Sequence, residues 1–309
     1  MIATLAGIYH VSMSHCPGFT MTFKTLATTV VLAAASLAAQ AADALQLTVY
    51  SAPAHSFNVN SVLVTGAKEA MVIDAGFTRA DAMRIAANVL DSGKTLTTIL
   101  VSNADPDYYF GAETLHALFP KARLVAAPAV AAEIAAHRAG KLAYWGPQMG
   151  ANAPHNVPVP TALTTTTLQV DGQAVELRGT TGVLANRPYV WIPSLRAIVG
   201  NVGLYGQMHV WLADSQQPAQ RQAWLEQLNA MQALAPAVVV PGHMAPGTPL
   251  TAAVIEQTRA YITRFEAEAA KTKDSAALMA AMQAAYPGLY GEDSLALSAK
   301  VLKGEMKWP

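Results

Sequence analysis

Cysteine is nearly absent from this chain. Cys16 is the only one in 309 residues, and it precedes the segment read below as a cleaved leader. The mature chain therefore offers neither a disulfide nor a thiolate, and any metal must be held by His, Asp, Glu or Asn. Charge is scarce too: 13% of residues are charged, with 20 Lys and Arg against 20 Asp and Glu. There is no basic cluster of the kind that tracks phosphates. That excludes a nucleic acid as the expected partner and leaves a small molecule as substrate or ligand. No repeat or low-complexity linker interrupts residues 44–309, so one domain with a helical C-terminal part is expected over 42–309. Apolar residues are abundant, at 52%, which suits a large buried core and excludes a disordered chain.

The N-terminus reads as an address. Lys24 precedes an apolar run over 26–39, and Ala39-Gln40-Ala41 is a small-x-small cleavage site. This is the pattern of a secretory signal peptide over 21–41. The run is shorter than the ~20 residues a spanning helix needs, so no membrane anchor is expected after cleavage. Residues 1–20 read as an upstream extension, with translation from Met21, a mature chain from Ala42, and a secreted or periplasmic location.

Strand and helix signals alternate through the first half. Residues 45–50, 61–65 and 70–73 read as strands, the last ending in the turn Asp74-Ala-Gly76. Thr78 is placed to cap a helix over 79–90, and Ser92-Gly93 to end it. A strand over 97–101 leads into 102–109 and a helix to Leu118. A strand over 123–126 precedes a helix that starts at Pro128 and runs to about His137. The stretch 141–160, rich in Pro, Gly and Asn, is expected to be a long ordered loop. Strand pairs follow, turning at Asp171-Gly172 and near Pro193-Ser194. A helix over 220–234, a short strand over 237–240 and a helix from Thr248 to about Lys271 complete the pattern. The order suggests two sheets face to face with helices outside.

Four segments carry chemistry: Asn60-Ser-Val-Leu-Val64 with Val72-Ile-Asp-Ala-Gly76; Ile99-Leu-Val-Ser-Asn-Ala-Asp-Pro-Asp-Tyr-Tyr-Phe-Gly111; Val190-Trp-Ile-Pro with Ile198-Val-Gly-Asn201; and Val238-Val-Val-Pro-Gly-His243. In this order the set resembles the metallo-β-lactamase-like hydrolases, from about Leu45 to His243. The resemblance implies an α/β (α+β) fold, a four-layer αββα sandwich of two mixed β-sheets with helices outside. It also implies a His-x-His-x-Asp-His metal loop, and here the chain departs. Asn103 and Asp105 stand for the first two histidines, Asp107 matches the aspartate, and Tyr108 stands for the last histidine. Asn201 replaces the aspartate that bridges two metals, and no His occurs near Gly179-Thr-Thr-Gly182.

Two divalent ions a few ångströms apart repel strongly unless carboxylates offset them. With a neutral amide at Asn201, a tight two-zinc centre is not expected. The resemblance leaves Asp105, Asp107 and His243 as a three-ligand set for one divalent ion, with Zn, Mn, Fe and Mg all compatible. Asn103 would add a carbonyl oxygen. In that reading Asp105 or Asp107 orients a water and Tyr108 donates to the developing oxyanion. Simpler roles stand beside these. Asp105 and Asp107 suit turn and capping positions around Pro106, and His243 suits a hydrogen-bonded turn. Asn103 and Asn201 suit amides that fill an old cavity by bonding each other or backbone. His209 is a candidate substrate contact, and Trp145 a candidate pocket-lining residue or packing group.

Two functions follow. One is an exported hydrolase of an ester, lactone or amide with a single-metal site. The other is a catalytically silent relative, without metal, that binds a small molecule or partner in the old cleft. A metal-free hydrolase is the weakest reading, because there is no Gly-x-Ser-x-Gly elbow and no cysteine in the mature chain.

Overall fold

The computed structural model describes residues 44–308. The upstream extension and the leader read from the sequence lie outside the described residues.

The first sheet has the order β1 (Gln46–Ser51), β2 (Asn60–Thr65), β3 (Glu69–Ile73), β4 (Thr95–Val101), β5 (Arg123–Ala126), β6 (Thr161–Ala162). Its β1–β2 and β2–β3 pairs are antiparallel, and the rest are parallel. β2, β3 and β4 are buried on both faces, which is why they read as apolar runs without clean alternation. The second sheet runs β12 (Val238–Val239), β10 (Ala197–Val199), β9 (Tyr189–Ile192), β8 (Gln173–Arg178), β7 (Thr167–Val170). Its β7–β8 turn at Asp171-Gly172 has φ of 47° and 76°, the left-handed pair that a two-residue hairpin demands.

Alternation on β9 and β10 explains the layering. Val190, Ile192, Ala197 and Val199 enter one core with Val62, Ile73, Ile99 and Val101 of the first sheet. Tyr189, Trp191 and Ile198 face the other way, into a second core with Trp224, Leu228, Ile262 and Leu295. Those last four come from outer helices, α5 (Pro218–Ala233), α6 (Ala253–Lys271) and α8 (Glu292–Leu302). α7 (Ser275–Ala285) completes that layer through Leu278 and Met282. On the first sheet's outer face lies α1 (Arg79–Ser92), with a Thr78–Asp81 capping box and Gly93 in the left-handed conformation at its end. The result is the αββα sandwich expected from the sequence.

Two boundaries differ from expectation. The helix that starts at Pro128 does not stop near His137. As α4 (Pro128–Met149) it continues through most of the first half of the expected loop, with Pro147 inside it. Leu142, Trp145 and Met149 pack from it onto the first core, and this burial outweighs the helix-breaking tendency of Gly140, Gly146 and Pro147. At the other boundary, Thr248 does not open α6, which begins at Ala253. Its hydroxyl instead donates to the carbonyls of Gly206 and Ala245.

Candidate functional site

The site gathers where β4 and β10 end. β4 leads through Ser102–Asp105 into two short helices, α2 (Pro106–Tyr109) and α3 (Ala112–Leu118). Gly111 separates them, and its N–H donates to the Gly76 carbonyl at 2.9 Å. A side chain at Gly111 would collide with the carbonyl of Ala75, so glycine there lets the motif loop press against the end of β3. Asp74, with a left-handed φ of 66°, ties the same junction. Its carboxyl accepts from the Ser102 N–H at 2.7 Å and the Ser102 hydroxyl at 2.8 Å, and burial pushes its pKa up to about 7.

His243 lies on β13 (His243–Met244), which pairs in parallel with β11 (Tyr205–Gly206). Its ring stacks on Tyr205 at 5.2 Å and meets Tyr108 edge-on at 5.6 Å. Nδ1 is 2.9 Å from the Phe57 carbonyl, so the neutral ring carries its proton there and leaves Nε2 free to face the site. Nε2 is 3.6 Å from Asp107 Oδ2. Burial drives both groups toward their uncharged forms. It pushes the Asp107 carboxyl well above the carboxylate range, reinforced by the charge of Asp105. It also holds His243 below the usual imidazole value, although the Phe57 carbonyl opposes this.

The structure thus brings Asp107 and His243 together. Asp105 is taken up by a cation: its carboxylate is 3.3 Å from the Lys141 ammonium, which also donates to the Ala104 carbonyl at 2.8 Å. Asp105 stands at the N-cap of α2 without a side-chain capping bond. The turn residue is Asn103, whose Oδ1 accepts from the Asp105 N–H at 2.8 Å, while its Nδ2 reaches the Asn186 carbonyl at 3.5 Å. Asn201 is engaged by backbone, donating to Val240 and accepting from Leu204, both at 3.0 Å. Tyr108 is buried with Ala52, Val59 and Val202, and its hydroxyl donates to the Asn201 carbonyl at 3.1 Å. Gly242 packs against that contact, where a side chain would strike both groups.

His209 is not part of this cluster. It is buried against α6, with Nδ1 2.9 Å from the Tyr261 hydroxyl. Trp145 does reach the site's edge. It meets Phe57 and Phe77 at 5.5 Å each and Tyr144 at 4.9 Å. Phe57 and Tyr144 stay 40% and 64% exposed, forming an open aromatic rim. Sequence reasoning missed Lys141, because it lay in a stretch read as loop. It also missed the role of Asp74, for which the strand-end Asp-Ala-Gly and the serine beside the motif were the available signals.

An αββα sandwich with its candidate residues at the ends of β4 and β10 defines a hydrolase-like class. The profile of the metallo-beta-lactamase superfamily matches residues 56–243, and the chain belongs to that superfamily. Solved structures agree on the fold. A metallo-beta-lactamase family protein from Thermus thermophilus is 19% identical, with TM-score 0.57, over 84% of this chain and 91% of that one. A beta-lactamase domain protein from Burkholderia ambifaria is 15% identical, with TM-score 0.57, over 84% of each chain. The DIM-1 metallo-beta-lactamase is 16% identical, with TM-score 0.51, over 71% of this chain and 91% of that one. Comparison with curated proteins found no match.

Members of this superfamily usually bind divalent metals. The residues present here do not fit one as arranged. Among the described residues, no group of three or more His, Cys, Asp or Glu is placed to hold a metal ion. Of the three ligands expected from the sequence, Asp107 and His243 face each other while Asp105 is paired with an ammonium. The amides at Asn103 and Asn201 spend their oxygens on backbone N–H groups.

Proposed function

We propose that this chain is a ligand-binding member of the superfamily that no longer runs metal-assisted hydrolysis. One observation carries the reading: the Lys141 ammonium stands 3.3 Å from Asp105, the carboxylate a remodelled metal site would require. A fixed cation there opposes a second cation by Coulomb repulsion. The rim of Phe57, Tyr144 and Trp145, with Phe57 and Tyr144 exposed, supports binding of a small molecule with an apolar face, since clustered exposed aromatic groups mark such contacts. The leader pattern over 21–41 supports a secreted or periplasmic location, and no helix among the described residues is long and apolar enough to cross a membrane.

The test uses the mature, untagged chain. Elemental analysis after dialysis against zinc, manganese, iron and magnesium should find no stoichiometric metal. An ester, lactone and amide screen should show no turnover, while aromatic members of the same screen should quench tryptophan fluorescence, less so in Trp145→Phe. A stoichiometric metal, with turnover lost in Asp105→Ala, would restore the single-metal hydrolase. The retained Asp107–His243 contact at 3.6 Å is the observation that favours that second reading.

A further inference from the structure

Lys141 is not a surface lysine that happens to lie near an acid. The half of α4 that carries it is anchored on both sides. Arg138 donates from its guanidinium to the Val157 carbonyl at 3.2 Å, and Leu142, Trp145 and Met149 pack onto the first core. This holds the Lys141 side chain over the motif loop with 28% of it exposed. Its ammonium donates to the Ala104 carbonyl at 2.8 Å and to Asp105 Oδ1 at 3.3 Å. A carbonyl and a carboxylate are oxygen donors of the kind a hard cation takes. Asp107 lies within the field of the same ammonium.

We propose that Lys141 is the built-in cation of this site, and that its ammonium, delivered by the extended α4 helix to Ala104 and Asp105, is what keeps a divalent ion out. The proposal rests on the metal-free reading above and adds a cause to it. The site would then be metal-competent in latent form. Asp105, once released, could swing toward the Asp107–His243 pair and complete three ligands with open positions for water.

The experiment compares the mature wild-type chain with Lys141→Met, Lys141→Ala and Lys141→Arg, each checked for native circular dichroism. Zinc is titrated by calorimetry, and cobalt(II) is followed by its visible spectrum. Lys141→Met and Lys141→Ala should each take up about one equivalent of metal in a tetrahedral, strongly absorbing cobalt site. Wild type and Lys141→Arg should take up none, because Arg keeps the charge. Adding His243→Ala to Lys141→Met should abolish the uptake. If wild type stays metal-free and both neutral variants also do, Lys141 is not the excluding group and the inference fails while the metal-free reading stands. If wild type itself binds zinc stoichiometrically, the metal-free reading fails, and this inference with it.

Discussion

Two buried carboxylates, each at the start of a helix, show how differently this molecule treats negative charge. Asp81, at the start of α1, is 0% exposed, and Asp107, at the start of α2, is 6% exposed. Asp81 is surrounded by donors. It accepts from the hydroxyls of Tyr50 at 2.6 Å, Ser56 at 2.7 Å and Thr78 at 2.6 Å, and from the Thr78 N–H at 3.1 Å. Burial alone would raise its pKa, but these bonds outweigh it and hold the carboxyl below the ordinary range. Asp107 has its own backbone N–H and the His243 ring at 3.6 Å, and burial prevails. The first carboxylate is a fastener. It pins the turn over 54–56 to α1, and so sets the Phe57 carbonyl against His243. The second is an acid whose burial outweighs the opposing pull of its own backbone N–H and of the Lys141 charge.

The comparison breaks most visibly if the fastener is dispensable. Asp81→Ala should strip four donors of their acceptor and cost about 3 kcal/mol or more in unfolding free energy, read by urea denaturation. A cost under about 1 kcal/mol would mean that the web around Asp81 is loose.

pH dependence sharpens the contrast. Asp74, like Asp107, is buried with a raised pKa, here from 3.8 to about 7. The folded state therefore holds a proton that the unfolded state has lost across that window. Stability contributed by this group is present below 3.8 and declines as pH rises toward 7, by on the order of a few kcal/mol in total. Asp81 has the opposite sign: its contribution is present above the unfolded carboxylate value and is lost as pH falls through its depressed folded value. Asp74→Asn should flatten the decline on the approach to neutrality, measured as melting temperature against pH, and leave the acid limb unchanged.

The smallest effects belong to the site. Asp107→Asn replaces a carboxyl that burial already pushes toward its neutral form, and should change stability by less than about 1 kcal/mol. Asp105→Asn breaks a pair whose side chains are 28% exposed at Lys141 and 36% at Asp105, and should cost about 0–1 kcal/mol, less in high salt. A loss at Asp107 that matched Asp81→Ala would show that Asp107 is a second fastener and that the two carboxylates do not differ in kind.

Much of the scaffold was legible because its signals are local. The Thr78 cap, the Gly93 stop and the Asp171-Gly172 turn each follow from one or two residues and the backbone conformations those residues favour. The apolar runs of β2 to β4 follow from burial on both faces. The site was legible only as a set of positions. Asp107 and His243 lie 3.6 Å apart, yet nothing local to Asp105 announces Lys141, 36 residues later. The loop reading over 141–160 hid it, because glycine and proline are local signals and the packing of Leu142, Trp145 and Met149 is not. Asn103 and Asn201 were read as amides able to satisfy backbone, but which backbone groups they meet depends on strands far apart in the chain.

By itself, the sequence determined the αββα layering and the superfamily, because hydrophobic periodicity, turn chemistry and ordered motifs are written along the chain. Only the tertiary structure decided which partner each remaining polar side chain takes. That choice is made where α4 crosses the motif loop and places an ammonium beside a carboxylate, and such a meeting depends on distance in space.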